Sequence, residues 1–289
     1  PRPLPPAGLR RGQGVAGGAR EGGAGDAEGW GPGMHGQIWS LLLPLAATGC
    51  GRGAAAGPNV TVPELGVVEG LDLAPFGVPS LAAFLGIPYA EAPIGPLRWQ
   101  PPKPHGGWGE KTLDGSNYRS FCMQAPAAPG MSEDCLFLNI AAPKAGLNGA
   151  ATRKLPVMLW IHGGQYQTGK SNDYIWDLPS LVHASKDSVV VVSINYRLNI
   201  FGFLGGAAVQ ARSGGHGAGN FGIQDQRAAL AWTKAHVAAF GGDGDDITIF
   251  GESAGGNAVI NHLAQPASFP LYKKAIIESG AYDLGAETM

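Results

Sequence analysis

Two unbroken apolar runs, residues 155–161 (LPVMLWI) and 189–195 (VVVVSIN), constrain the fold of this chain more than any other feature. A strand with one face in water alternates apolar and polar residues. A continuous run belongs to a strand covered on both faces. Both runs are therefore expected to be central in a sheet flanked by helices. Around them the pattern alternates. A helix is expected over 176–185 and a long one over 220–240, with Ile223, Leu230 and Val237 at seven-residue spacing and Gly241-Gly242 closing it. A strand over 247–250, a helix over 254–263 and a strand over 275–278 follow. Upstream, 81–87 and 136–140 read as early strands, with the proline-rich stretch 88–104 as an irregular connection. Strands alternating with helices imply an α/β fold with a doubly wound, mostly parallel sheet, whose ligands bind beyond the carboxyl ends of the strands.

The compact part of the chain is expected to begin near residue 60. Residues 1–33 are about half Gly plus Pro and cannot bury apolar surface, so they are read as disordered or untranslated. Met34 opens a segment, 34–56, whose apolar stretch 38–47 is followed by small residues. A stretch of ten residues suits a signal-peptide core and falls short of a membrane span. A buried or low-complexity segment is the alternative, because the region before the stretch holds His35 and no Lys or Arg. Cleavage is expected after Gly49 or Ala56; a lipoprotein reading through Cys50 fits less well, with Ala47 where Leu is usual. Asn59-Val60-Thr61 is a glycosylation acceptor just beyond, consistent with a secreted or lumenal protein. Cys122 and Cys135 then remain as an even pair, either closed in an oxidising compartment or left as buried thiols. A formal net charge of -2 with only 15% charged residues offers no field for nucleic acid or an anionic membrane.

The chemistry centres on Gly251-Glu252-Ser253-Ala254-Gly255, a G-x-S-x-G sequence at the junction of an expected strand and helix. The turn is so tight that a side chain two residues to either side of the serine would strike neighbouring backbone. Ser253 is thereby held over the sheet edge as a nucleophile, and the start of the next helix favours an adjacent oxyanion. His162-Gly163-Gly164-Gln165, 91 residues upstream, directly follows the first apolar run. A glycine pair after a strand is often only a turn. Beside a serine elbow it can present bare amides to a tetrahedral oxygen.

These segments resemble the type-B carboxylesterase and cholinesterase family. The likeness runs in order through FLGIPYAEAPIGPLRW (84–99), SEDCLFLNI (132–140), LPVMLWIHGG (155–164), NYRLNIFGFL (195–204), GNFGIQDQRAALAW (219–232) and FGGDGDDITIFGESAGG (240–256). The resemblance implies an α/β-hydrolase fold, Ser253 as the acyl-accepting nucleophile and an oxyanion hole from the amides at Gly164, Gln165 and Ala254. It implies a Cys122–Cys135 disulfide, and Arg98 with Glu133 as a structural ion pair; Arg197 and Asp225 are read as scaffold of the same kind. Gln165 stands where the family often has a third glycine, so a long side chain is expected to border the acyl pocket. No aromatic lies between the two cysteines, where cholinesterases carry the tryptophan that holds a quaternary ammonium, so a general carboxylesterase is favoured. Glu252 either tunes the site or caps the following helix.

Two further patterns carry no function on this reading. Gly217 to Gly222 spells G-x-G-x-x-G but follows a polar loop, and Asp243, Asp245 and Asp246 lack the spacing of a calcium loop and are expected on a surface turn. No metal or cofactor is implied, and the expected partner is a small-molecule ester. A serine needs a histidine and an orienting carboxylate, which in this fold follow it in the chain. Only 36 residues follow Ser253, and His262 falls within the elbow helix, pointing elsewhere. The chain is thus expected to be an N-terminal portion, incomplete at its C-terminal half, with the acid and histidine beyond residue 289 and no turnover alone. The rival reading is a non-catalytic relative that keeps the fold for adhesion or binding; such proteins typically lack the serine.

Overall fold

A computed structural model describes residues 57–172, 178–215 and 219–280. The low-complexity stretch 1–33, the signal-like segment 34–56 with Cys50, Trp176 of the expected helix, and Gly217-Ala218 of the glycine pattern lie outside the described residues. Along the chain the strands are β1 (Asn59–Val62), β2 (Gly66–Glu69), β3 (Leu71–Asp72), β4 (Leu81–Pro88), β5 (Gly109–Asp114), β6 (Phe121–Cys122), β7 (Met131–Ser132), β8 (Phe137–Pro143), β9 (Leu155–Ile161), β10 (Val190–Ile194), β11 (Gly242–Glu252) and β12 (Lys274–Glu278). The helices are α1 (Leu178–Ala184), α2 (Asn199–Phe203), α3 (Ala207–Arg212), α4 (Phe221–His236) and α5 (Ala254–Ala264).

Seven strands form the main sheet in the order β12-β11-β9-β10-β8-β4-β3. The two apolar runs are β9 and β10, and β10 is the middle strand. In β10, Val190, Val192 and Ile194 join one buried cluster while Val191 joins the other, as the period of two requires when both faces are covered. Helix α1 packs Leu178 and Val182 with Val191 on one side. On the other side Ile223 and Leu230 of α4, and Ala258 and Val259 of α5, pack with Val190, Val192 and Ile194. The sheet is doubly wound, and it is mixed. Strands β12, β11, β9 and β10 run parallel, whereas the β10–β8, β8–β4 and β4–β3 pairings are antiparallel.

Two boundaries differ from the sequence reading by four residues or more. Helix α4 ends at His236, and Val237–Phe240 is a 3-10 turn closed by Gly241 in the left-handed conformation at φ 82°. Tightening the last turn in this way is common where helix carbonyls run out of partners. Strand β11 also begins earlier than expected, at Gly242, with an irregularity in register between Gly242 and Ile247. Asp243, Asp245 and Asp246 therefore lie in an irregular strand segment, not a surface turn. Lys234 pairs with Asp245, and Lys273 and Lys274 pair with Asp246.

Candidate active site

Strands β9 and β11 are parallel neighbours, with Ile161 opposite Gly251, so the segments that follow them leave the sheet at the same edge. After β11 comes Ser253 at φ 56°, ψ −121°. Few non-glycine residues adopt that conformation, at a cost of about 1–3 kcal/mol, and it persists only where the surroundings hold it. Here the Ser253 N–H donates to the carbonyl of Glu278 on β12 at 2.9 Å, and the Ser253 carbonyl accepts from Asn257 in the first turn of α5 at 2.9 Å. A Cβ at Gly251 would lie 2.6 Å from the Ile161 oxygen, and one at Gly255 only 2.1 Å from it. The flanking small residues are thus demanded by the approach of β9, as the motif implies.

The segment after β9 closes on the same point. A Cβ at Gly163 would lie 3.2 Å from the Cβ of Ser253 and 2.7 Å from the Glu252 carbonyl oxygen. Gly164, at φ 106°, turns the chain so that its carbonyl accepts from both Gln167 and Thr168 at 2.9 Å. Among the described residues the N–H groups of Gly163, Gly164, Gln165 and Ala254 donate to no acceptor. Open amides on these two segments are available to an oxygen from elsewhere.

Two residues given no role in the sequence reading, Tyr196 and Gln124, hold this loop. The His162 ring stacks on Tyr196 with centroids 4.3 Å apart, and the Tyr196 hydroxyl donates to the His162 carbonyl at 2.7 Å. Burial pushes the Tyr196 phenol well up from its ordinary range, so it stays a donor. Gln124, from the disulfide loop, pairs with the backbone of Gly169. Only the tyrosine carried a signal, as part of the NYR segment already matched.

A cavity of about 520 Å³ opens beside the loop, bordered by Phe121, Met131, Gly163, Gly164, Lys170 and Glu252. Gln165, expected to border the pocket, is exposed and does not line the cavity, because it sits at φ 58° on the outside of the turn. Glu252 lies with a carboxylate oxygen 3.2 Å from the Cβ position of Gly163 and makes no cap bond to α5 among the described residues, which disfavours the capping reading. His262 is fully buried between the Ser268 hydroxyl and the Gln226 amide, so its ring is committed away from the elbow. Cys122 and Cys135 are bonded. Arg98–Glu133 and the buried Arg197–Asp225 are both bidentate pairs within the scaffold. Asn59 is exposed at the start of β1.

Comparison with known proteins places the chain in a family. The model of the carboxylesterase family matches residues 56–286. Para-nitrobenzyl esterase of Bacillus subtilis (strain 168) is 42% identical over 204 residues, covering 68% of this chain and 39% of that protein. Acetylcholinesterase of Electrophorus electricus is 39% identical over 242 residues, covering 78% and 36%. A solved structure of PNB esterase superimposes with a TM-score of 0.66 at 40% identity, covering 77% of this chain and 44% of that one. The chain thus spans about two fifths of the length of these relatives. An α/β-hydrolase sheet, a serine elbow facing open amides and a family match over most of its length together make this chain a member of the carboxylesterase family.

Proposed function

We propose that the protein containing this chain hydrolyses carboxylic esters through an acyl-serine intermediate at Ser253. The approach of Gly163 to Ser253, 3.2 Å between Cβ positions, carries the reading, since it brings nucleophile and open amides to one carbonyl carbon. In the first step the Ser253 oxygen bonds to that carbon and its proton passes to a base. The tetrahedral oxyanion is held by the amides of Gly164, Gln165 and Ala254. The carbon–alkoxide bond then breaks and the alcohol leaves with a proton. Water attacks the acyl-serine, releasing the acid and restoring the hydroxyl. The base is neither His162 nor His262 in this reading, because both rings are engaged elsewhere.

The test is labelling of the intact protein by a fluorophosphonate, which reacts only with an activated serine. Labelling that vanishes in Ser253→Ala is expected. An unlabelled wild-type protein would overturn the hydrolase reading in favour of a binding protein on the same fold.

We further read the protein as secreted or lumenal and glycosylated at Asn59. The exposed position of Asn59 and the Cys122–Cys135 bond support this. Expression through a secretory pathway should give a species whose mass falls on enzymatic deglycosylation, with no such fall in Asn59→Gln.

A further inference from the structure

Lys170 is held more firmly than a surface lysine needs to be. On one side Gly169 is paired through both backbone groups with the Gln124 amide. On the other, Ser171 is buried, its N–H donating to Asn195 Oδ1 at 2.8 Å and its carbonyl accepting from the Ser193 hydroxyl at 2.9 Å. The backbone of Lys170 is thus pinned at both ends, on the loop that carries the open amides. Its Nζ lies 5.3 Å from the centre of the Phe121 ring, in the wall of the 520 Å³ cavity. Lysines 144, 234, 273 and 274 are each paired with an aspartate, whereas Lys170, like Lys103, Lys111, Lys154 and Lys186, makes no ion pair among the described residues; of these it alone borders the cavity.

The cavity's one carboxylate, Glu252, sits against Gly163 at the elbow and is not within ion-pair distance of Lys170. The two charges therefore divide the cavity. An anionic group on a bound ester is repelled from the elbow and attracted to the ammonium, so it is carried away from the scissile bond. A cationic ester meets the opposite field, and the aromatic face that would receive it already carries an ammonium.

Resting on the esterase reading above, we infer that Lys170 is a specificity-determining residue selecting esters that bear an anionic group beyond the scissile carbonyl. Its backbone is already fixed, so only side-chain rotamer freedom is lost when the anion binds. The anion belongs to the acyl or to the alcohol portion, and the substrates below separate the two.

The experiment compares kcat/KM of the intact protein for p-nitrophenyl hemiglutarate, for the acetyl ester of 4-hydroxybenzoate and for neutral p-nitrophenyl butyrate. One anionic ester should be favoured over the neutral one. Lys170→Ala should lower that ratio about tenfold, the loss of one charge-assisted hydrogen bond, while Lys170→Arg keeps it and Lys170→Glu turns the preference toward choline esters. Added salt should lower the wild-type ratio. Ratios unchanged in Lys170→Ala overturn the inference. Calorimetric binding of two non-hydrolysable amides, the monoamide of glutaric acid for the acyl side and 4-acetamidobenzoate for the alcohol side, gives a readout independent of turnover. Lys170-dependent binding of either without hydrolysis would sink the esterase reading and leave the anion site standing, and binding of both indifferent to Lys170→Ala would sink the site itself.

Discussion

The side-chain amide of Gln124 pairs with both backbone groups of Gly169, its Nε2 donating to the carbonyl and its Oε1 accepting from the N–H, each at 2.8 Å. Nε2 also donates to the Cys122 carbonyl at 3.1 Å, so the disulfide loop is tied to the loop that carries the open amides. Gly169 transmits the contact, because a Cβ there would lie only 2.3 Å from His162 Nδ1. Gln124→Ala should therefore lower kcat about tenfold with little change in KM, since displaced amides stabilise the oxyanion less while ground-state binding persists. Steady-state kinetics on the intact protein check this. An unchanged kcat would mean that the clamp stabilises without positioning.

The elbow glycines should be intolerant of even a methyl group. In Gly255→Ala the new carbon would sit 2.1 Å from the Ile161 oxygen, and the obstacle is strand backbone in the middle of the sheet. A loss of about 3 kcal/mol or more is expected. Gly106→Ala is the control, because nothing lies within 4 Å of a Cβ there. Thermal melting of the two variants beside wild type should show a large drop for the first and none for the second.

Different physical causes made some of this structure legible in the sequence and hid the rest. β9 and β10 could be read because burial on both faces removes charge from the whole strand. The first half of β11 could not, because only Gly242 of GDGDD pairs with β9 and its polar side chains at Asp245 and Asp246 face lysines. Nor could the antiparallel side of the sheet. The direction of β8 beside β10 is set by tertiary packing, and local patterning is the same for either direction. At the site, Ser253 and Gly164 were visible because tight turns restrict residue type locally. Gln124 and Tyr196 act across 45 and 34 residues of chain on groups that any sequence supplies, namely backbone carbonyls and amides. No local pattern marks such a partner.

Arg197 and Asp225 form the most buried ion pair described, with side chains 3% and 0% exposed. The guanidinium donates to both carboxylate oxygens at 2.8 and 2.7 Å, and the Arg197 N–H adds a third bond at 3.0 Å. Arg197→Met removes the partner and leaves a carboxylate inside the protein, which should cost about 3–5 kcal/mol. Arg197→Met combined with Asp225→Leu should recover most of it. Denaturant midpoints for the two singles and the double form the cycle, and strict additivity would show that the pair is not coupled.

His262 should make the protein less stable in mild acid. Its Nε2 faces Gln226 Oε1 at 3.1 Å and must carry the proton there, while Nδ1 accepts from the Ser268 hydroxyl at 2.9 Å. Both nitrogens are thus occupied by a neutral ring, and burial lowers the group from 6.5 to about 4, with the Arg227 charge adding to the effect. The folded value lies below the unfolded one, so between them the unfolded chain binds more protons. Stability from this group is complete above pH 6.5 and is lost as the pH falls toward 4, by about 3 kcal/mol in all. His262→Gln can keep one of the two hydrogen bonds and does not titrate. It should be less stable than wild type at pH 7, yet lose less stability between pH 7 and pH 4.5, when urea midpoints are compared. Carboxylates common to both proteins cancel in that difference. Equal losses in the two proteins would mean that the buried ring binds a proton in the folded state as readily as in the unfolded chain.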